Sequence, residues 1–185
     1  MDNPLRDRRV PSELAEQWQV IEISDKISDF ERLEGIVAKD LSALEADKLP
    51  RHWRESLVTG RLAFGYGGTR NDVPALEGNL AVTIDAVCQR CLEPFRLSLA
   101  TEFRVLLGDA GQSPGEHDGY ELWELVDDTV RPIDIVDEAL VMAMPLSAMH
   151  GTADGCLEVE VDAVDTVETV TPFAALKTQL QEKGK

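Results

Sequence analysis

The stretch from Leu80 to Leu107 constrains the fold more than any other part of the chain. Leu80, Val82, Ile84, Ala86 and Cys88 alternate with Ala81, Thr83, Asp85 and Val87. Phe95, Leu97, Leu99, Phe103, Val105 and Leu107 alternate in the same way with Arg96, Ser98, Glu102 and Arg104. A period of two is the mark of a strand with one face in a core. Only Gln89 to Pro94 separates the two runs, so they read as an antiparallel hairpin. The spacing therefore predicts a long hairpin at about 79–107. Around it we expect an α+β fold: an antiparallel sheet with helices packed on one face.

The flanking segments supply the other elements. Val20–Ile23 reads as a short strand. Ser28–Asp47 reads as a helix, with Phe30, Leu33, Val37, Leu41 and Leu44 spaced by three and four. Ser28 is placed as its N-cap, Glu31 as the capping-box acid, and Leu49-Pro50 as its stop. Leu57–Phe64 reads as a strand broken by Gly65, Gly67 and Gly68. Those glycines lack the GK[ST] ending and the following helix of a phosphate loop. Gly108–Gly119 reads as a polar loop, and Tyr120–Val126 as a short strand. Asp134 to Met144 reads as a helix capped by Asp134 and stopped by Pro145, with Met142 and Met144 in its core stripe. Leu157–Val170 reads as a weak edge strand or an acidic unstructured segment. A short helix opens at Thr171-Pro172, and 182–185 should fray. The expected division is 1–56 as an N-terminal strand-and-helix segment, 57–170 as the core domain and 171–185 as a helical tail.

The chain's three cysteines come next. Cys88 and Cys91 form a CxxC at the hairpin tip, with Arg90 between them. Cys156 follows the second helix, close to His150 in MHGTADGC. Together Cys88, Cys91, His150 and Cys156 make a Cys3His set, which suits tetrahedral zinc closed by four protein ligands. The x2 spacing lets two sulfurs of one turn converge, and Gly151 and Gly155 let the looser His-x5-Cys half bend. Two other readings stay open. The thiols could be small buried side chains, or Cys88 and Cys91 could be a redox pair. Redox CxxC motifs sit at helix N-termini, where the thiol pKa is depressed; this one precedes a strand. There is no GxSxG, no HExxH and no other enzymatic constellation, so no catalytic residue is assigned. Trp18, Trp53 and Trp123 read as packing residues, and His52 as a surface or helix-end residue.

Charge narrows the partners. The net charge is −17. Residues 1–47 carry six Lys/Arg against twelve Asp/Glu, 48–104 eight against six, and 105–185 four against seventeen. Such a surface reads either as a solvated acidic face that favours solubility or as one that attracts basic partners and repels nucleic acid. Any RNA contact should be small and use Arg90, Arg96 and Arg104. No apolar run approaches the about 20 residues a membrane span needs. The N-terminus lacks the apolar core of a signal peptide, so a cytoplasmic protein is expected.

The order of features resembles the YceD family of large ribosomal RNA subunit accumulation proteins. The residues that carry the resemblance are VTIDAVCQRCLEPF (Val82–Phe95), GYELWELVDD (Gly119–Asp128), DIVDEALVMAMPL (Asp134–Leu146), then His150, Cys156 and TPFAAL (Thr171–Leu176). Thr171 stands where the pattern has asparagine, a change that should still cap the helix. The resemblance implies a small non-enzymatic factor needed for normal levels of large-subunit rRNA. With the charge, it points to a basic ribosomal or processing protein, or a pre-ribosomal particle, as partner. The competing expectations are a thiol redox protein using the CxxC and a regulatory partner of a metabolic enzyme.

Overall fold

A computed structural model describes residues 3–68, 70, 72–108, 119–125, 127–151 and 156. Its centre is one five-stranded sheet in the order β1-β2-β3-β4-β5. The strands are β1 Val20–Lys26, β2 Leu57–Gly67, β3 Val73–Val87, β4 Pro94–Gly108 and β5 Glu121–Glu124. The first four are successively antiparallel, and β5 adds parallel to the end of β4. The expected α+β class is therefore what the chain adopts. The central hairpin pairs Ala75 with Leu106 through to Val87 with Pro94, longer at its open end than the alternation alone marks.

The sheet has one covered and one open face. Val58, Leu62, Phe64, Leu76, Leu80, Val82, Ile84 and Val105 are buried in one core with helices α1 (Pro11–Glu16), α2 (Glu31–Leu41) and α3 (Pro132–Met142). The alternate residues Thr59, Arg61, Ala81, Arg96, Ser98, Ala100, Glu102 and Arg104 are exposed. The short helix α1 buries Leu14 and Ala15 and was not marked by periodicity. Its length, under two turns, leaves too few positions for a stripe to register. Arg9 also bridges Val130, lashing the N-terminal segment to the chain ahead of α3.

Four expectations are corrected. The helix expected over Ser28–Asp47 is shorter: Ile27–Asp29 form a 3-10 turn and α2 ends at Leu41. Ser28 is not its N-cap; Phe30 holds that position and has no side chain able to cap. The cap comes instead from Asp137 of α3, whose Oδ2 and Oδ1 accept from the Arg32 and Leu33 backbone N–H groups at 2.8 and 2.9 Å. Second, α3 starts with Pro132 at its first turn and stops at Met142, before Pro145; Asp134 lies inside that turn, paired with Arg131. Third, Met142 is 76% exposed rather than in the core, while Met144 packs against it. Fourth, β2 is not broken at Gly65 but continues to Gly67. These glycines make room for rings: a Cβ on Gly65 would stand 2.8 Å from Trp18, and one on Gly67 2.9 Å from Tyr120. Gly68, at φ +83°, is where the chain turns.

Gly78 has a related role on the core-facing row of β3. It faces Phe103 across the hairpin, and a Cβ there would overlap the Phe103 ring. Gly78→Val is expected to cost about 3 kcal/mol through overpacking, read as a lower urea midpoint with an unchanged m value. A loss below about 0.5 kcal/mol would mean the ring moves aside freely. The loop expected at Gly108–Gly119 falls largely on residues outside the described set. The segment Leu157–Val170, the helix from Thr171 and the terminal 182–185 lie outside it entirely.

Candidate metal centre

The hairpin register delivers the thiols. Cys88 continues the inward row of β3 and is fully buried; the tip then turns within Gln89–Glu93. Two backbone bonds close that turn: Cys88 N–H donates to the Glu93 carbonyl at 2.9 Å, and Leu92 N–H to the Cys88 carbonyl at 2.9 Å. Leu92 takes φ +60° to do so, a left-handed conformation that is unfavourable for a bulky side chain. The tip is tied to the body by two side chains that sequence reasoning did not single out. Asp40, in the last turn of α2, accepts the Val87 N–H at 2.8 Å, and Lys48 Nζ pairs with Glu93 Oε1 at 2.5 Å. Neither contact is local in sequence, so no pattern could have flagged it. The loop after α3 joins from the other side, where Gln89 N–H donates to the Ala148 carbonyl at 2.9 Å.

That arrangement brings Cys88, Cys91, His150 and Cys156 to one point. Their donor atoms all lie within 4.8 Å of one another. Cys88 Sγ and Cys156 Sγ are 3.9 Å apart, and Cys91 Sγ stands 3.0 Å from His150 Nε2. None of the three cysteines is in a disulfide. Cys88 and Cys156 are buried; Cys91 and His150 are half-buried. His150 stacks obliquely on Phe95, ring centroids 5.4 Å apart. Its other nitrogen, Nδ1, lies 3.3 Å from the Gly151 carbonyl. A proton on Nδ1 donated there leaves the Nε2 lone pair aimed into the cluster, the tautomer a metal ligand requires.

The donor set fits a metal. With bonds of about 2.3 Å, two sulfurs of a tetrahedral site stand about 3.8 Å apart, close to the 3.9 Å between Cys88 and Cys156. The surroundings also favour thiolate at one position. Burial alone would raise the Cys88 thiol, but the backbone N–H groups of Cys91, Arg90 and His150, with the Cys91 side chain, bring it down from 9.0 to about 6. Cys156 moves the opposite way, pushed up to about 11 by burial and by the adjacent Cys88 and Cys91 sulfurs. A cation among the sulfurs would offset that repulsion. The four residues could thus hold a metal ion.

The three arginines do not share one place. Arg90 is exposed at the tip, with no ion pair among the described residues. Arg96 and Arg104 lie on the open face of β4, roughly 26 Å apart along the strand. Arg96 is 4.0 Å from Asp85, and Arg104 is 3.5 Å from Glu77. The structure does not bring them together as one patch. Among the described residues, no helix is long and apolar enough to cross a membrane.

Fold and site define a class: a mixed-sheet α+β protein whose hairpin tip and post-helix loop meet in a Cys3His cluster. The chain belongs to the YceD family, whose model, described as large ribosomal RNA subunit accumulation protein YceD, matches residues 76–179. The match runs from β3 through the CxxC and past Cys156. Comparison with curated proteins and with solved structures gave no match. Family membership places the chain among proteins described as large ribosomal RNA subunit accumulation proteins.

Proposed function

We propose that this protein is a non-enzymatic, cytoplasmic factor in ribosome biogenesis. It supports the accumulation or processing of large-subunit rRNA by binding a basic ribosomal or processing protein. In this reading a structural zinc on Cys88, Cys91, His150 and Cys156 fastens the hairpin tip to the loop after α3. The convergence of these four donors in a chain of this family carries the proposal. Four protein ligands close the coordination shell and leave no position for water or substrate, so the metal's work is architectural. The CxxC leads into strand β4 rather than into a helix N-terminus, which speaks against a redox pair.

The charge supports a protein partner. Gripping RNA over a wide surface needs many Lys and Arg side chains on phosphates, and a chain at −17 lacks that excess. Arg96 and Arg104 are engaged with acids. That leaves exposed Arg90 as the best candidate for a limited RNA contact at the tip. Tagged full-length protein, recovered from growing cells and resolved on a density gradient, tests this. It should co-migrate with particles carrying large-subunit rRNA precursor and retain a basic protein after nuclease treatment. Recovery free of such particles, or with a metabolic enzyme instead, overturns the proposal.

A further inference from the structure

The far side of β4 is mostly uncovered. β5 pairs only with Val105–Gly108, and all four of those residues are buried. Of Pro94–Arg104, only Leu99 is. Among the described residues, no strand pairs with this stretch on the side away from β3. A long edge with unpaired backbone N–H and C=O groups invites another strand. Proteins usually blunt such edges with charged side chains, inward-pointing charges, bulges or prolines; on this one Arg96, Glu102 and Arg104 stand on the outward row and are of both signs. Here Pro94 stands only at the start, and the inward row is Phe95, Leu97, Leu99, Thr101 and Phe103. Phe95, Leu97 and Phe103 are left half-buried.

We propose that this edge pairs with the same edge of a second copy, antiparallel, about a two-fold axis normal to the sheet at Leu99. The edge is self-complementary in one register. With Leu99 opposite the second copy's Leu99, Arg96 meets Glu102, Phe95 meets Phe103, Leu97 meets Thr101 and Ser98 meets Ala100. Inward residues stay opposite inward ones, and symmetry makes every pair but the central Leu99–Leu99 twice. The register centred on Ala100 would set Arg96 against Arg104, like charge on like. The one centred on Ser98 would set Arg96 against Ala100 and lose the charge pair. Arg96, already 4.0 Å from Asp85, would bridge that acid and Glu102 of the second copy across the new interface. The net charge of −17 opposes association, so the dimer depends on concentration. This inference stands on the sheet alone and needs neither the metal nor the ribosomal partner.

Sedimentation equilibrium of the full chain, with amide hydrogen exchange at 94–104, tests it. A reversible dimer is expected, with edge amides that gain protection as concentration rises. Arg96→Glu places acid against Glu102 twice and should weaken the dimer about tenfold. Its circular dichroism should keep the native shape, since Arg96 is exposed, with a small loss of stability because the new acid also faces Asp85 within the chain. The double variant Arg96→Glu/Glu102→Arg restores opposite pairs and should recover dimerisation. A monomer at every concentration overturns the proposal, as does a dimer indifferent to Arg96→Glu. Edge protection independent of concentration also overturns it, because a segment of the same chain would then be covering β4.

Discussion

Cys88→Ser is expected to remove close to one zinc per chain and to lower Tm on the order of 10 °C. Cys88 is the most deeply buried of the four donors, and three backbone N–H groups converge on its sulfur. Serine keeps the size but is a poor zinc ligand. If the thiols were only packed side chains, the same change would leave one buried hydroxyl among those N–H donors, with a fall of about 3 °C. His150→Cys separates the readings further. It supplies a fourth soft donor, so metal content should persist, whereas His150→Ala should lose much of it. Metal analysis of the purified variants, with melting before and after chelation, checks all three. Wild-type protein that is metal-free and melts at the same temperature with and without chelator would return the cysteines to the core-packing reading.

The outcome bears on how much of the molecule was legible in its sequence. The hairpin was, because Leu80–Cys88 and Phe95–Leu107 carry an unbroken period of two, and Cys88 stays in phase with the inward row. That phase alone puts one thiol inside and the other at the rim. The Cys3His grouping was legible for a different reason: so few sulfur and imidazole donors exist that almost any metal set had to use these. What could not be read was what holds the cluster in place. Asp40 and Lys48 look like two more charges in a highly charged chain, yet each reaches the tip from far away in sequence. The end of β2 was misjudged because glycine usually ends strands. Here Trp18 and Tyr120 need the space, and both approach through tertiary packing. The start of α2 was misjudged because Ser28 and Glu31 form a local capping pattern. A buried carboxylate from another helix does that work instead.

That carboxylate, Asp137, is expected to matter far more than an ordinary acid of this chain. It is 7% exposed and sits within α3, yet both its oxygens serve the first turn of α2. Asp137→Ala leaves two N–H donors unmet at a helix end whose own N-cap, Phe30, offers no acceptor. A cost of about 3 kcal/mol follows. Asp137→Asn should cost about 2 kcal/mol, because one oxygen still accepts while the amide nitrogen opposes the second donor. Asp134→Ala, in the exposed pair with Arg131 on the same helix, should change stability by less than about 1 kcal/mol. Urea unfolding of the three variants gives the ranking, and equal values for Asp137→Ala and Asp134→Ala would refute the capping role. The effect should also travel. α2 is held at its first turn by Asp137 and holds the hairpin tip from its last turn through Asp40. Loosening either end frees Val87 and, one residue on, Cys88. Zinc transfer to a chelator should therefore accelerate in Asp40→Ala, and less so in Asp137→Asn, with both still folded. Unchanged transfer rates would show that the cluster keeps its geometry without α2.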